Sequence, residues 1–227
     1  MSIVVKICGL RSAEMLDAAL AAGADMVGFV FFVPSPRNLA FADARALGER
    51  VRARALKVAL TVDAGDAQLA EIIATIKPDL LQLHGSETPE RVRAVRRRFG
   101  LPVMKALPVA ERADLERIRL YENAADRLIF DALPPREASR PGGLGRSFDW
   151  RLLCALDCAV PFMLSGGLNA GNVAEALRIT GAPGVDVSSG VERAPGEKDA
   201  ARIRDFIAAA RFAGQGSVAA ATAAAGP

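Results

Sequence analysis

Short apolar segments alternate with helix-like stretches along most of the chain, and they recur about every 20 to 35 residues. Each segment is a continuous apolar run and does not alternate polar with apolar positions, which is typical of strands that are covered on both faces of a parallel sheet. The pattern therefore predicts parallel strands. Eight segments qualify, at residues 3–7, 25–31, 57–62, 80–83, 102–106, 127–130, 161–164 and 184–187.

The stretches between these segments carry the periodicity of amphipathic helices. In 68–76 and in 201–212 the apolar residues recur at positions three and four apart, which predicts helices that lie against a sheet. Thr88 before Pro89 is typical of a helix N-terminus. Glycines at three positions indicate where helices end: Gly23, Gly100 and Gly181.

Eight strand–helix units in about 210 residues favour an α/β fold, a single-domain (β/α)8 TIM barrel over residues 1–212. A doubly wound open sheet is the alternative that this pattern also permits. Residues 213–227 show no apolar periodicity and offer nothing to bury. We therefore expect a disordered C-terminal tail outside the fold.

Composition and charge narrow the class of protein. Apolar residues make up 51% of the chain and charged residues 24%, which excludes a disordered chain and a small disulfide-stapled scaffold. The formal net charge of +3 is too small to indicate a nucleic-acid surface. No apolar run approaches the roughly 20 residues that cross a bilayer. We therefore expect neither nucleic acid nor a membrane as a partner.

The numbers of cysteines and histidines narrow the class of protein further. Three cysteines, an odd number, without the pattern of a secretory signal indicate free thiols and a cytoplasmic location. His84 is the only histidine, whereas histidine-based metal sites need at least two imidazoles. A metal site of that kind is therefore not expected.

Candidate chemistry lies at the C-terminal ends of the strands, where a barrel builds its active site. Cys8 ends the first predicted strand, and a nearby cation or oriented donors there would lower its pKa and make a thiolate base; the alternative is an inert thiol. Asp131 follows the sixth strand at the rim of a dry cavity, which suits a general acid; the alternative is a capping residue. Because the two strands lie roughly opposite in the ring, the side chains would flank one small substrate.

Two turns of small residues follow the seventh and eighth strands. Their backbone N–H groups can converge on an oxyanion, and barrels commonly bind a phosphate after these two strands. Either turn alone is a weak signal, but the pair at these strands predicts a phosphate-bearing ligand. The turn residues are Ser165, Gly166, Gly167, Ser188, Ser189 and Gly190.

Three further polar residues follow or lie in predicted strands. Arg37, after the second strand, is a candidate for binding a carboxylate because a guanidinium can donate to both oxygens at once; the alternative is a solvated loop arginine. His84 ends the fourth strand, and Gln82 points to the same side by two-residue spacing. We expect both side chains to line the barrel, although a lone histidine is more often structural than catalytic.

Two other features are interpreted as structural. The arginines in 91–98 accompany an apolar stripe and indicate a solvated helix face, not a nucleic-acid site. Cys154 and Cys158 are four apart on a predicted helix, where side chains can touch. With no other cysteine or histidine nearby they make a poor metal site, and we interpret them as helix packing.

Taken in order, the strand-end motifs resemble those of the phosphoribosylanthranilate isomerases of tryptophan biosynthesis. The resemblance spans about residues 3 to 210, and it is specific because the motifs occur together and in sequence. They are VKICGL at 5–10, GFVFFVPSPR at 28–37, LQLHG at 81–85, GGLGRSFDW at 142–150, LSGGLNAGNV at 164–173 and VDVSSGVE at 185–192.

The resemblance implies a (β/α)8 barrel that performs an Amadori rearrangement of a small phosphorylated aminosugar, without metal or other cofactor. By motif, Cys8 resembles the general base and Asp131 the general acid. Arg37 matches the residue that binds the anthranilate carboxylate, and the turns after the last two strands match the phosphate site. We expect a monomer or a weak homodimer.

The sequence departs from the family pattern after the sixth strand. Leu144 stands where the family usually has threonine, and 134–141 is a variant of the loop that is expected to close over the substrate. These differences bear on loop contacts more than on the catalytic pair.

Three alternatives stay open at the level of the sequence. A histidine-pathway ribonucleotide isomerase runs the same chemistry from two aspartates, and Cys8 in place of one of them argues against it. A metal-dependent pentose-phosphate epimerase needs several histidines. A non-catalytic barrel that serves as a binding module would tolerate replacement of Cys8 and Asp131.

Overall fold

Eight parallel strands pair in chain order and close into a barrel, in a computed structural model that describes residues 3–135 and 137–223, with side chains up to residue 214. This confirms the TIM barrel predicted from the apolar segments. The strands are β1 (Val4–Cys8), β2 (Met26–Phe31), β3 (Leu56–Thr61), β4 (Leu80–Leu83), β5 (Val103–Val109), β6 (Arg127–Ala132), β7 (Phe162–Leu164) and β8 (Gly184–Val187).

Helices connect most of the strands across the outside of the barrel. They are α1 (Ala13–Ala21), α2 (Phe41–Val51), α3 (Asp66–Ile76), α4 (Pro89–Phe99), α5 (Ile118–Glu122), α6 (Val173–Thr180) and α7 (Ala200–Ala223). Short 3-10 helices cover Arg112–Arg117, Trp150–Leu153 and Ser189–Val191. A short antiparallel hairpin of β9 (Glu192–Ala194) and β10 (Glu197–Lys198) follows β8.

The core has two layers because each strand is covered on both faces. The larger layer lies between the strands and the helices. The smaller layer fills the barrel interior and comes from alternate strand positions: Met26, Val58, Leu80, Met104, Ala106, Ile129 and Met163. The barrel is therefore a packed core, and space for a ligand remains only at its ends.

The predicted helix ends are confirmed at α4, where the Thr88 hydroxyl accepts a hydrogen bond from the backbone N–H of Arg91 at 3.3 Å. Gly100 and Gly181 end α4 and α6 with φ of +63° and +61°, a conformation that side chains with a Cβ adopt only at a cost. On α4, Val92 is buried while the arginines face solvent or neighbouring carboxylates, as expected for a solvated helix face.

The segment after β6 differs from the prediction. Cys154 and Cys158 were placed on a helix, but the only regular element there is the 3-10 turn of Trp150–Leu153, and the chain after it is irregular. Cys154 is exposed and Cys158 is half-buried. The interpretation of the two cysteines as helix packing is therefore wrong, because a short loop and a single turn replace the regular helix in this unit.

Helix α7 extends beyond the predicted end of the domain at residue 212. Ala213 and Gly214 still pack on the barrel, and the helix continues to Ala223. Alanine has the highest helix propensity, which explains why an alanine-rich segment without apolar periodicity continues the helix. Residues 224–227 of the predicted tail lie outside the described residues. Within the described part, no helix has the length and apolar character needed to cross a bilayer.

Candidate active site

A cavity of about 790 Å³, a volume that includes space open to solvent, lies at the C-terminal ends of the barrel strands. Gln82 and Gly190 lie behind the wall, whereas the other nine predicted site residues line it. Those nine are Cys8, Arg37, His84, Asp131, Ser165, Gly166, Gly167, Ser188 and Ser189.

Cys8 is the last residue of β1, and its side chain is buried against β2. The two strands pair so that Cys8 lies beside Gly28. A side-chain carbon at Gly28 would lie 2.8 Å from the Cys8 Sγ, closer than real carbon contacts allow. Glycine at this position therefore makes the room that the thiol occupies at the cavity wall.

A buried ion pair lies directly below the thiol. The Lys6 Nζ is 2.7 Å from the Asp186 Oδ1, and the Ser165 hydroxyl donates to the Asp186 Oδ2 at 3.1 Å. Burial works against the charge of Lys6, but Asp186 and Cys8 outweigh it, so the pKa of Lys6 is raised. Lys6 therefore stays cationic beneath Cys8, where it favours a thiolate.

The protonation state of Cys8 differs from the expectation. Burial raises the pKa of the Cys8 thiol, and Asp186 adds to the shift, whereas the cations Lys6 and Lys198 offset only part of it. The expectation of a lowered pKa assumed a nearby cation or oriented donors and did not include the loss of solvent on burial. The thiol is therefore the main form at neutral pH in the unliganded protein.

We expect alkylation of Cys8 by iodoacetamide to accelerate about tenfold per pH unit through neutral pH and to level off only above about 8.5, the ordinary pKa of a thiol. The reason is that only the thiolate reacts, and burial raises the pKa of the thiol, so the thiolate forms at higher pH. Measurement by mass spectrometry in a Cys154→Ser/Cys158→Ser background isolates the Cys8 signal. A cysteine-containing model peptide is the control. If the alkylation rate of Cys8 levels off at a lower pH than the rate of the peptide, the prediction is contradicted.

Asp131 lies in β6 with only 7% of its surface exposed. Its Oδ1 accepts a hydrogen bond from the backbone N–H of Ala132 at 2.8 Å, and its Oδ2 lies 3.4 Å from the His84 Nε2. The Gln82 Nε2 lies 3.0 Å from the His84 Nδ1. An amide nitrogen only donates, so Nδ1 is the acceptor in this contact. Gln82 therefore orients His84, whose ring lies beside the Asp131 carboxyl.

Arg37 is buried, so it is not the solvated loop arginine that the sequence left as the alternative. Its Nε and Nη2 donate to the two carboxylate oxygens of Glu192, each at 2.7 Å. The Lys198 Nζ also donates to Glu192 at 2.7 Å and to the Ser188 carbonyl at 2.9 Å. Burial lowers the pKa of Lys198 to about 8, although Glu192 opposes the shift. The hairpin after β8 thus holds Arg37 in place through one shared carboxylate.

The two small-residue turns lie side by side at the far end of the cavity. Gly166 and Gly167 have φ of +88° and +65°, so the turn after β7 uses backbone conformations that favour glycine. Gly190 packs against the carbonyl of Leu168, which leaves no space for a side chain between the turns. The Ser188 hydroxyl donates to the Cys8 carbonyl at 3.1 Å and so links this end to the thiol. Backbone N–H groups in small-residue turns of this kind suit an anion.

The loop after β6 crosses over the cavity. A side-chain carbon at Gly142 would lie 2.7 Å from both the Asp131 Oδ2 and the His84 Nε2. The carbonyl of Gly143 accepts a hydrogen bond from the Arg37 Nη2 at 3.0 Å. The glycines of the motif at 142–150 thus let the backbone lie directly on the acid and on the arginine.

Several charged residues of the site were not predicted from the sequence, among them Lys6, Asp186, Glu192 and Lys198. The first two were visible as charges inside otherwise apolar strands, a signal that normally marks a buried functional or paired group. Glu192 was part of a quoted motif without an assigned role. Lys198 carries no signal of its own, because only the closure of the hairpin brings it to Glu192.

Comparison with known proteins gives the site a context. The family model described as N-(5'phosphoribosyl)anthranilate (PRA) isomerase matches residues 5–209. The N-(5'-phosphoribosyl)anthranilate isomerase of Rhodopseudomonas palustris (strain BisB5) is 64% identical over 211 residues, which cover 93% of this chain and 97% of that protein. The enzyme of the same name from Nitrobacter winogradskyi is 64% identical over 213 residues, covering 94% and 95%.

Solved structures agree with these relatives. The phosphoribosyl anthranilate isomerase of Thermotoga maritima superposes with a TM-score of 0.84 at 34% identity, over 92% of this chain and 99% of that one. A phosphoribosyl anthranilate isomerase in complex with reduced 1-(o-carboxyphenylamino)-1-deoxyribulose 5-phosphate gives a TM-score of 0.81 at 32% identity, with the same coverage. The fold, the strand-end motifs and these relatives agree, and the chain belongs to the N-(5'-phosphoribosyl)anthranilate isomerase family.

Proposed function

We propose that this isomerase of tryptophan biosynthesis rearranges N-(5-phosphoribosyl)anthranilate to 1-(2-carboxyphenylamino)-1-deoxyribulose 5-phosphate with Cys8 as general base and Asp131 as general acid. One observation carries the assignment of roles. A thiol and a carboxyl line the same cavity as the two small-residue turns and a buried arginine. The cavity therefore offers a proton donor and a proton acceptor to a ligand that is anionic at both ends.

The substrate is oriented by its two anionic groups. The phosphate binds at the paired turns after β7 and β8, where backbone N–H groups are available. The aryl ring then lies toward an apolar wall formed around Cys8 by Val30, Leu60, Phe32 and Val62. In this orientation the ring carboxylate faces Arg37, and the ribose lies between Cys8 and Asp131.

Ring opening needs an acid. Asp131, in its protonated form, gives its proton to the ribose ring oxygen as the bond between that oxygen and C1 breaks. The nitrogen lone pair forms a double bond to C1, and the product is an open-chain iminium ion. Its positive charge acidifies the hydrogen on C2. The hydrogen bond from the Ala132 N–H and the contact with His84 hold the carboxyl in position for this step.

Removal of the C2 hydrogen needs a base. The thiolate of Cys8 takes the proton, the electron pair forms the bond between C1 and C2, and the iminium electrons return to nitrogen. The enolamine then becomes the ketone: C1 takes up a proton and the hydroxyl on C2 loses one. In this last step the Cys8 thiol gives its proton to C1 and the Asp131 carboxylate takes the proton of the C2 hydroxyl, so the thiolate and the acid are both regenerated. Lys6 and Lys198 support the thiolate that this cycle requires.

The test is direct turnover. Phosphoribosylanthranilate is generated in situ from anthranilate and phosphoribosyl pyrophosphate, and the loss of its fluorescence is followed with the purified protein. We expect loss that depends on the protein. No loss with folded protein would contradict the proposal, and the histidine-pathway aminoaldose would then be the next substrate to assay.

We further propose a cytoplasmic location and a monomer or weak homodimer. Membership in a small-molecule biosynthetic family supports the location. The large apolar side chains that the described residues leave exposed lie on separate elements and loops, which is normal for a monomer surface. Sedimentation at micromolar concentration measures the oligomeric state.

A further inference from the structure

The charge of Arg37 is already engaged in the protein without ligand. Its Nε and Nη2 are bound to both oxygens of Glu192 at 2.7 Å, and the pair is buried. A substrate carboxylate that approaches Arg37 therefore meets an ion pair and also the negative charge of Glu192. The positive charge of Lys198 offsets part of that negative charge. Because the pKa of Lys198 is about 8, this offset decreases toward alkaline pH. Arg37 alone supplies little net attraction for a second carboxylate.

A second guanidinium borders the same cavity. Arg140 lies in the loop after β6 and lines the wall together with Arg37. Its Nε is buried and has no hydrogen-bond partner among the described residues. A buried donor of a charged group that lacks an acceptor is costly, and such groups normally have a ligand or water as partner. Burial, and next the charge of Arg37, lower the pKa of Arg140, which places the two cations near each other.

The course of the loop places Arg140 at the end of the cavity where the aryl ring binds. The two residues that follow Pro141 lie against the acid and against Arg37, as described above. The turns that suit the phosphate are at the other end. Arg140 thus borders the ring end of a substrate that is held by its phosphate.

We propose that Arg140 binds the ring carboxylate of the substrate together with Arg37 and is the residue that selects a carboxylated arylamine. The inference rests on the substrate orientation given under the proposed function. Two guanidiniums around one carboxylate leave a net positive charge after Glu192 is counted, and Arg140 can donate in the geometry that matches carboxylate oxygens. Glu192 neutralises the charge of Arg37, and Arg140 thereby supplies the net attraction for the substrate carboxylate.

The test compares two stable ligands with and without the carboxylate. One is reduced 1-(o-carboxyphenylamino)-1-deoxyribulose 5-phosphate, and the other is its phenylamino counterpart made from aniline. Calorimetry gives the Kd of each for wild type and for Arg140→Gln. We expect Arg140→Gln to weaken the carboxylated ligand about 10- to 100-fold, as for loss of a charge-assisted hydrogen bond, and the phenylamino ligand less than twofold.

Two variants complete the design. Arg140→Lys keeps the charge but not the paired donors, so it should recover part of the lost affinity for the carboxylated ligand only. Arg151→Gln, at an exposed arginine further along the same connection that pairs with Asp149, should match wild type on both ligands. Equal weakening of both ligands by Arg140→Gln, or no weakening, overturns the role of Arg140 while leaving the isomerase intact. If wild type does not distinguish the two ligands, the proposed carboxylate end of the site is overturned as well.

Discussion

Cys8→Ala is expected to lower kcat by at least about 100- to 1,000-fold, because general acid–base groups contribute roughly that much to a proton transfer. The variant removes the only thiol at the cavity, and Lys6 beneath it cannot replace a base because its ion pair with Asp186 keeps it cationic. The measurement is the initial rate of substrate fluorescence loss at saturating substrate. Cys8→Ser separates size from chemistry, since a hydroxyl fills the space beside Gly28 but is a far weaker base; we expect an equally large loss.

Two controls accompany that measurement. Cys154→Ala removes an exposed thiol and should leave the rate unchanged. Binding of the stable reduced product analogue by Cys8→Ala should stay within a few-fold of wild type, since the thiol takes part in a proton transfer and not in holding either anionic group. A near-normal kcat in Cys8→Ala would remove the thiol from the mechanism and favour a non-catalytic role for this residue.

Asp131→Asn is expected to lower kcat by a similar factor, at least about 100-fold, for a different reason. Asparagine keeps the shape and can still accept the hydrogen bond from the Ala132 N–H through its amide oxygen. It has no acidic proton to give to the ribose ring oxygen, so the ring opens without assistance. The loss should appear in kcat, with KM changed little, because the group acts on the leaving oxygen and not on the phosphate or carboxylate.

The matched control for this variant is Asp157→Asn at an exposed carboxylate, which should have wild-type kinetics. Open-chain ligands offer a second check. The reduced product analogue has no ribose ring to open, and Asp131→Asn should therefore bind it about as well as wild type. If the variant loses affinity for that analogue in proportion to its loss of rate, Asp131 binds the ligand and the assignment as acid is wrong.

The strands could be predicted because each is a local apolar run bounded by glycine or polar residues. Their order followed from the alternation with helices, since parallel neighbours need a crossover connection. One prediction failed for a physical reason, because the connection after β6 holds no regular helix. The chain beyond Phe212 continues α7, and Ala213 and Gly214 still pack on the barrel.

The candidate site could be predicted only as far as strand ends reveal it. Cys8, Asp131 and the turn residues directly follow apolar runs, so a barrel brings them to one rim. The residues that hold the site side chains in place were not predictable, because they are distant in the sequence. Arg37, for example, pairs with Glu192, 155 positions away. The protonation of Cys8 depends on burial, which no local pattern shows.

The closure of the barrel between β1 and β8 has a consequence for synthesis of the chain. Lys6 and Asp186 meet across that seam, 180 positions apart. At translation rates of about 5–20 residues per second, Lys6 is made about 10 to 40 s before Asp186. During this interval β1 has no partner on one edge, its lysine has no counterion, and the thiol beside it has no neighbouring turn from β8. The nascent chain is therefore without activity until nearly its whole length has emerged.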